Sequence, residues 1–311
     1  MTGLGRRDFL RAAAGAALGA GIGGARGPLS GRPLFAAERA DKPMPTRRLG
    51  KTGYEASIFS LGGQSTLQQR DQREVAVRII NHALDLGVNY IDTADSYAGG
   101  DSEANIGVAL EGRRGEVFIA TKTRIQTDDG IEDDAFERTC ERLQTDYVDL
   151  YFTHAVHDLE HLDTVLDREN GAIRAFERLR EKGRVRNIGV SSHNNATLME
   201  AMRRYDLDCV FITLNPAGLS MQDPENLRDM LAMAEDKDVG VVGMKIVARG
   251  RVFERDIDMK QAMNYALSLP IATANVGITS IDQIDENVRL AKEFEPYDED
   301  MLARLESIAR A

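Results

Sequence analysis

The feature that most constrains this chain is a repeated alternation of short apolar runs with longer stretches of helical period. Ile58-Phe59-Ser60-Leu61-Gly62-Gly63 reads as a buried strand. A helical pattern over residues 73–86 follows, apolar at Val75, Val77, Ile79, Ile80, Ala83 and Leu84, and Gly87 stops it. The second strand carries Asn89-Tyr90-Ile91-Asp92, and six more are expected at 117–123, 147–154, 187–192, 210–214, 241–244 and 274–278. Helices are expected between them at 102–110, with Ser102 as N-cap, and at 132–143, 172–182, 196–205, from Pro224, and 259–267. Helices at 283–294 and 299–309 close the chain, and residues 44–54 form a short hairpin with a Lys-Thr-Gly turn. Strands apolar on both faces belong to parallel sheets covered by helices. About eight such units over ~260 residues match a (β/α)8 barrel. The expected class is therefore α/β, a TIM barrel with an N-terminal β-hairpin and a C-terminal helix. An open doubly wound sheet is the rival.

Polar residues at the strand ends favour the barrel, because a closed barrel delivers every strand's C-terminal end to one rim. Asp92, Tyr97, Lys122, His154, Ser191 and Asn215 all lie at or just past such ends. An open sheet would spread them along a line too long for one pocket.

The barrel is assigned to residues 38–311, and residues 1–37 are a separate segment. Gly5-Arg6-Arg7-Asp8-Phe9-Leu10-Arg11, followed by an Ala/Gly run to Gly24, resembles a twin-arginine (Tat) export signal. The run is too short and glycine-rich to be a stable membrane anchor, which needs roughly 20 apolar residues. The Tat machinery is thus an expected partner and the location periplasmic or otherwise extracytoplasmic. Gly19-Ala20-Gly21-Ile22-Gly23-Gly24 matches G-x-G-x-x-G, but within an export signal it lacks the flanking strand and helix that a dinucleotide fingerprint requires. The formal charge of -11 argues against nucleic acid or an anionic membrane as main partner. Cys140 and Cys209 read as buried small hydrophobes, and there is no cysteine cluster of zinc or iron–sulfur type. His154, His157 and His161 have spacings suggestive of a metal site, but with His154 at the rim and the others on a loop no metal is expected.

A carboxylate, an ammonium, a phenol and an imidazole at one rim make a proton-transfer site. A phenol of pKa ~10 is a poor donor near neutrality. An adjacent ammonium at Lys122 is expected to lower that value by roughly 1–3 units. Asp92 would hold Lys122 charged and aimed, and His154 would orient a carbonyl substrate or assist the proton transfer. Such a site stabilises an oxygen as it becomes an alkoxide but supplies no electron pair, so a bound hydride donor is the natural companion.

Asp92-Thr93-Ala94 with Tyr97, Thr121-Lys122, His154, Ile188-Gly189-Val190-Ser191, the opening Arg48-Leu49-Gly50-Lys51-Thr52-Gly53, and Val276-Gly277-Ile278-Thr279-Ser280 with Glu286-Asn287 together resemble the aldo-keto reductases over residues 44–288. The resemblance implies a (β/α)8 barrel with a nicotinamide dinucleotide across its rim, and Tyr97 as acid/base with Asp92, Lys122 and His154. It also implies hydride transfer between the nicotinamide and a small carbonyl or alcohol substrate. Ser191 matches the carboxamide-binding position. Ser192 stands where many members have Asn, with Asn194 nearby. Strand six has no counterpart of the usual Gln, and Met244-Lys245 replaces the common aromatic-Ser pair, which implies apolar contact with the nicotinamide. Lys245, Arg249 and Arg251 would meet the pyrophosphate. Gly277, Thr279, Gln283, Glu286 and Asn287 fall on the adenine side. NADP(H) is expected ahead of NAD(H), although the basic residues that often hold a 2′-phosphate are absent from 277–283. Two other functions remain open on the same barrel: a weakly catalytic cofactor-binding partner or sensor, and a lyase or isomerase using Lys122 as a Schiff base. Substrate specificity would come from the rim loops at 155–169 and 216–222.

Overall fold

The computed structural model describes residues 42–311. The expected export segment, residues 1–37, lies outside them. The chain opens with an antiparallel hairpin, β1 (Thr46–Arg48) and β2 (Glu55–Ser57), joined through a 3-10 turn at Gly50–Thr52. Eight parallel strands follow: β3 (Phe59–Gly62), β4 (Tyr90–Asp92), β5 (Phe118–Thr123), β6 (Val148–Thr153), β7 (Val185–Ser192), β8 (Cys209–Thr213), β9 (Gly240–Met244) and β10 (Thr273–Gly277). They pair in chain order, and β10 pairs with both β9 and β3, which closes the barrel.

The outer helices are α1 (Arg73–Asp85), α2 (Asp101–Ala109), α3 (Glu137–Leu143, entered through a π-turn at Ile131–Phe136), α4 (Leu159–Val165), α5 (Ala172–Glu181), α6 (Asn195–Arg204), α7 (Leu227–Asp236), α8 (Met259–Leu267), α9 (Ile281–Lys292) and α10 (Glu299–Arg310). None of the described helices is long and apolar enough to cross a membrane.

Two apolar clusters follow from the period-2 pleat. Outward-facing strand residues such as Ile91, Ile119, Tyr151, Ile188 and Val210 pack with the helices. Inward-facing Tyr90, Phe118, Ala120, Leu150, Phe152, Phe211 and Val242 fill the barrel. The same alternation carried one step further along each strand brings Asp92, Lys122 and His154 into the interior at its upper end. Gly189 makes this filling possible, because a Cβ there would lie 2.4 Å from the Phe152 ring. The hairpin stoppers the opposite end: Leu49 and Ala56 belong to the interior cluster, and Leu49 packs on Gly240 at the start of β9. Among the described residues, clefts open at the C-terminal mouth.

Three expectations are corrected. Ser102 is not the N-cap of α2. Gly100, at φ 98°, precedes the helix, and the buried Ser102 hydroxyl donates to Gly63 O (2.7 Å) and accepts from Thr93 Oγ1 (2.8 Å). The hairpin runs to Ser57 instead of ending at Tyr54. The rim segment after β6 contains α4, capped by the Asp158 carboxylate accepting from His161 N. Cys140 and Cys209 are both free and buried, as expected.

Asp149, low on β6 and well away from the open mouth, fastens the strands there. Its carboxylate accepts from Arg114 (2.7 Å), Arg186 (2.7 Å) and the buried amide of Ile119 (2.9 Å), and both guanidinium groups lie over the Tyr147 ring. Asp149→Ala would strand that amide and uncouple both arginines, costing about 2–3 kcal/mol. Urea unfolding of the variant should show that loss, and an unchanged midpoint would refute the role.

Candidate active site

Each polar group at the open mouth is placed by backbone before it is placed by chemistry. Beyond β4 the chain is pinned along β5 by Thr93 N donating to Ala120 O (2.8 Å) and Asp95 N to Lys122 O (3.1 Å). Tyr97 N then donates to Ala94 O (3.1 Å), and a tight turn with Ala98 at φ 49° swings the phenol back over the mouth. Beyond β6, His154 N donates to Thr123 O (2.8 Å), which holds the imidazole beside the end of β5.

The floor of the site is a buried ion pair. Lys122 Nζ donates to both Asp92 carboxylate oxygens, at 2.5 and 2.6 Å, and to Thr93 O at 2.7 Å. The two side chains are 1% and 3% exposed. The ammonium is 5.1 Å from the Tyr97 ring centroid and 4.7 Å from that of Phe211, with the Tyr97 hydroxyl in hydrogen-bond reach. The Tyr97 and His154 rings meet edge to face at 5.7 Å. Asp92, Tyr97, Lys122 and His154, remote in sequence, are thus brought together.

Burial opposes the charge on Lys122, but Asp92 and Tyr97 outweigh it and hold the ammonium above its ordinary value. Burial pushes Asp92 up to about 6 against the pull of Lys122, which leaves a carboxylate at neutral pH. Tyr97 departs from the sequence expectation: its pKa is raised, not lowered. Burial is the main cause, and Asp92 adds to it; Lys122 pulls the other way, but its charge is largely matched by a bidentate carboxylate. The group is therefore a neutral phenol. Burial, then Lys122, Arg124, His193 and Lys245, push His154 down to about 2, so the imidazole is uncharged. Its Nδ1 is 3.3 Å from Ser96 Oγ, and assigning the donor role to that hydroxyl leaves the ring proton on Nε2.

Two clefts flank Tyr97. One, about 610 Å³, runs toward β3 and β10 and is lined by Gly62, Gly63, Gln64, Ser65, Asn275 and Gly277, and by the loop 244–249 after β9. The other, about 830 Å³, runs toward the ends of β5, β6 and β7 and is lined by Lys122, Arg124, His154, His157, Ser191 and His193. Tyr97, Phe211, Met244, Lys245 and Arg249 border both. The loop after β9 holds Lys245, Ala248 and Arg249 at φ 59°, 45° and 59°, a left-handed conformation unusual for such residues. Asn215 braces it by donating to Lys245 O (3.2 Å). Among the described residues, Lys245, Arg249 and Arg251 form no ion pair with a carboxylate.

The remaining residues singled out in the sequence are dispersed. Ser191 faces the second cleft, with its hydroxyl donating to Thr153 O (3.1 Å) and accepting from Ala155 N (2.8 Å). Ser192 lines neither cleft; it donates to Val156 O (2.5 Å) and accepts from Asn194 N. Asn194 caps α6 through Thr197 N. Gly277 borders the first cleft, whereas Thr279 and Gln283 bond each other at the start of α9 (2.8 and 3.1 Å). Glu286 is exposed on that helix and Asn287 buried. His157 and His161 pair with each other, ring centroids 5.8 Å apart.

Sequence reasoning passed over Arg124, His193 and Phe211. Arg124 and His193 each follow a strand end by a residue or two, the signal already used for Tyr97. Phe211 was missed because strand six was searched for a polar side chain, and an aromatic fills that inward place.

The chain matches the model of the aldo/keto reductase family over residues 59–269. It is 28% identical to the uncharacterized oxidoreductase YqkF of Bacillus subtilis, covering 80% of this chain and 91% of that protein. It is 26% identical to L-galactose dehydrogenase of Arabidopsis thaliana, covering 84% and 93%. Among solved structures, the holo form of aldo-keto reductase AKR11C1 from Bacillus halodurans superposes with a TM-score of 0.70 at 27% identity, covering 86% of this chain and 97% of that one. An aldo-keto reductase from Klebsiella pneumoniae solved with NADPH has the same fold, with a TM-score of 0.68 at 21% identity, covering 86% and 96%. The chain belongs to the aldo/keto reductase family and, as a member, is an NAD(P)-dependent oxidoreductase.

Proposed function

We propose that the protein reduces small carbonyl compounds with Tyr97 as the proton donor and NADP(H) as the preferred cofactor. The observation that carries this reading is a neutral, buried phenol directly above a charged Lys122–Asp92 pair.

The residues along the first cleft suit a dinucleotide. Lys245 and Arg249 offer charge without a carboxylate partner, and Met244 offers an apolar surface. When bound, a reduced nicotinamide supplies the hydride that the chain itself lacks. The S. pombe relative Aldo-keto reductase yakc, 27% identical, carries NADP(+) in its name, which supports the choice of NADP(H).

The proton side belongs to this chain. As a carbonyl carbon accepts a hydride, its C=O electron pair moves to oxygen, and that oxygen takes the Tyr97 proton. An alkoxide is far more basic than a phenolate, so transfer is downhill even from a phenol of raised pKa. Lys122 stabilises the phenolate that forms, and solvent reprotonates it through the open mouth. Uncharged His154 orients the carbonyl oxygen through Nε2–H and serves as hydrogen-bond donor instead of acid.

Tyr97→Phe should lower kcat for aldehyde reduction at least ~100-fold while the dissociation constant for NADPH stays within a few-fold. Cofactor oxidation followed at 340 nm, with a separate fluorescence titration, checks both, and near-normal turnover would remove Tyr97 from the reaction.

We further propose export by the Tat route, on the strength of Arg6-Arg7 and the Ala/Gly run behind them. That route carries folded proteins, so cofactor is loaded before transport. A fusion of residues 1–37 to a reporter should reach the periplasm, and Arg6→Lys with Arg7→Lys should hold it in the cytoplasm. Equal export of both fusions would contradict the assignment.

A further inference from the structure

From the second cleft we infer a substrate class: a carbonyl compound carrying an anionic group, carboxylate or phosphate, held by Arg124. This rests on the reading above, in which the first cleft takes the cofactor and the second the substrate.

The charge pattern is the argument. The chain carries 50 acidic and 39 basic residues, yet no carboxylate lines the second cleft. Its wall instead presents Arg124, Lys245 and Arg249 together with the imidazoles of His154, His157 and His193. Lys122, the remaining cation, is neutralised by Asp92 beneath it. Lys245 and Arg249 also border the first cleft, where the cofactor would engage them. Arg124 borders only the second.

Arg124 is exposed, two residues beyond Lys122, and forms no ion pair among the described residues. Asp95 feels its charge, but that carboxylate is hydrogen-bonded to Thr123 and feels Arg142 more strongly. A guanidinium with open donors at a substrate cleft matches the flat, two-oxygen face of a carboxylate or phosphate. His193 lines the same wall but is already engaged, through Nδ1 with Thr213 Oγ1 (2.6 Å) and by a ring hydrogen bond to the Ser220 backbone, so Arg124 carries the recognition. The cations on this wall other than Lys122 are Arg124, Lys245 and Arg249, and none of the three forms an ion pair among the described residues. An anion entering this cleft gains those unpaired charges, and an uncharged substrate does not.

The test compares charged aldehydes with uncharged counterparts: succinate semialdehyde against butanal, and glyceraldehyde 3-phosphate against glyceraldehyde. The proposal expects kcat/KM to favour the charged member of at least one pair by 10-fold or more, and which pair shows it identifies the anion. In Arg124→Gln that preference should fall by 10-fold or more. Ratios near one in both pairs, or a preference unmoved in Arg124→Gln, would overturn the proposal. Because an inactive enzyme would report on the proposed reaction and not on this cleft, calorimetry of 4-hydroxybutyrate and of glycerol 3-phosphate is run in parallel, with and without NADP. Binding of at least one that weakens 10-fold in Arg124→Gln supports the anion site even without turnover. If neither binds, or binding is indifferent to Arg124, it is overturned.

Discussion

A single buried ion pair organises the catalytic end of this barrel. Lys122 is among the largest fully buried side chains, and its ammonium nitrogen has three acceptor oxygens within 2.7 Å. A lone ammonium at that depth would be too costly to keep charged. Asp92, one strand away, makes it tenable, and the two strands are held in register by Asp92 pairing with Ala120. The pair thus depends on barrel closure, and the chemistry above it depends on the pair.

What the pair does for Tyr97 is subtler than adding a positive charge. The carboxylate absorbs much of the ammonium's field, and burial raises the phenol further. The result is a phenol held neutral, which in the proposed reaction would keep its proton until a strongly basic oxygen appears. His154, ringed by basic groups, is likewise held uncharged and free to donate. Neither group needs to change protonation state to receive a substrate. This suits a site whose substrate brings its own negative charge to a basic wall.

The barrel and the convergence of Asp92, Lys122 and His154 at one mouth were legible because both follow from local periodicity. Runs apolar on both faces announced parallel strands, and the period-2 pleat that buries Phe118, Ala120, Leu150 and Phe152 also turns Lys122 and His154 inward. Features set by tertiary contact were not legible. The pKa direction at Tyr97 hinges on a bidentate geometry and a depth of burial that spacing does not encode. Ser102 has a good N-cap identity, yet its hydroxyl is claimed by Gly63 and Thr93 from neighbouring elements. The short helix Leu159–Val165 offers too few apolar positions to stand out, and its cap at Asp158 is the one local hint.

The central claim is that Lys122 is a charged ammonium locked to Asp92, not a neutral amine available for covalent chemistry. Lysine-selective 15N NMR of the Nζ group, titrated with pH, reads this directly. The account predicts an ammonium signal at neutral pH that titrates above the ordinary value of 10.5. A neutral amine at pH 7 would contradict it and would favour Schiff-base chemistry at Lys122 instead.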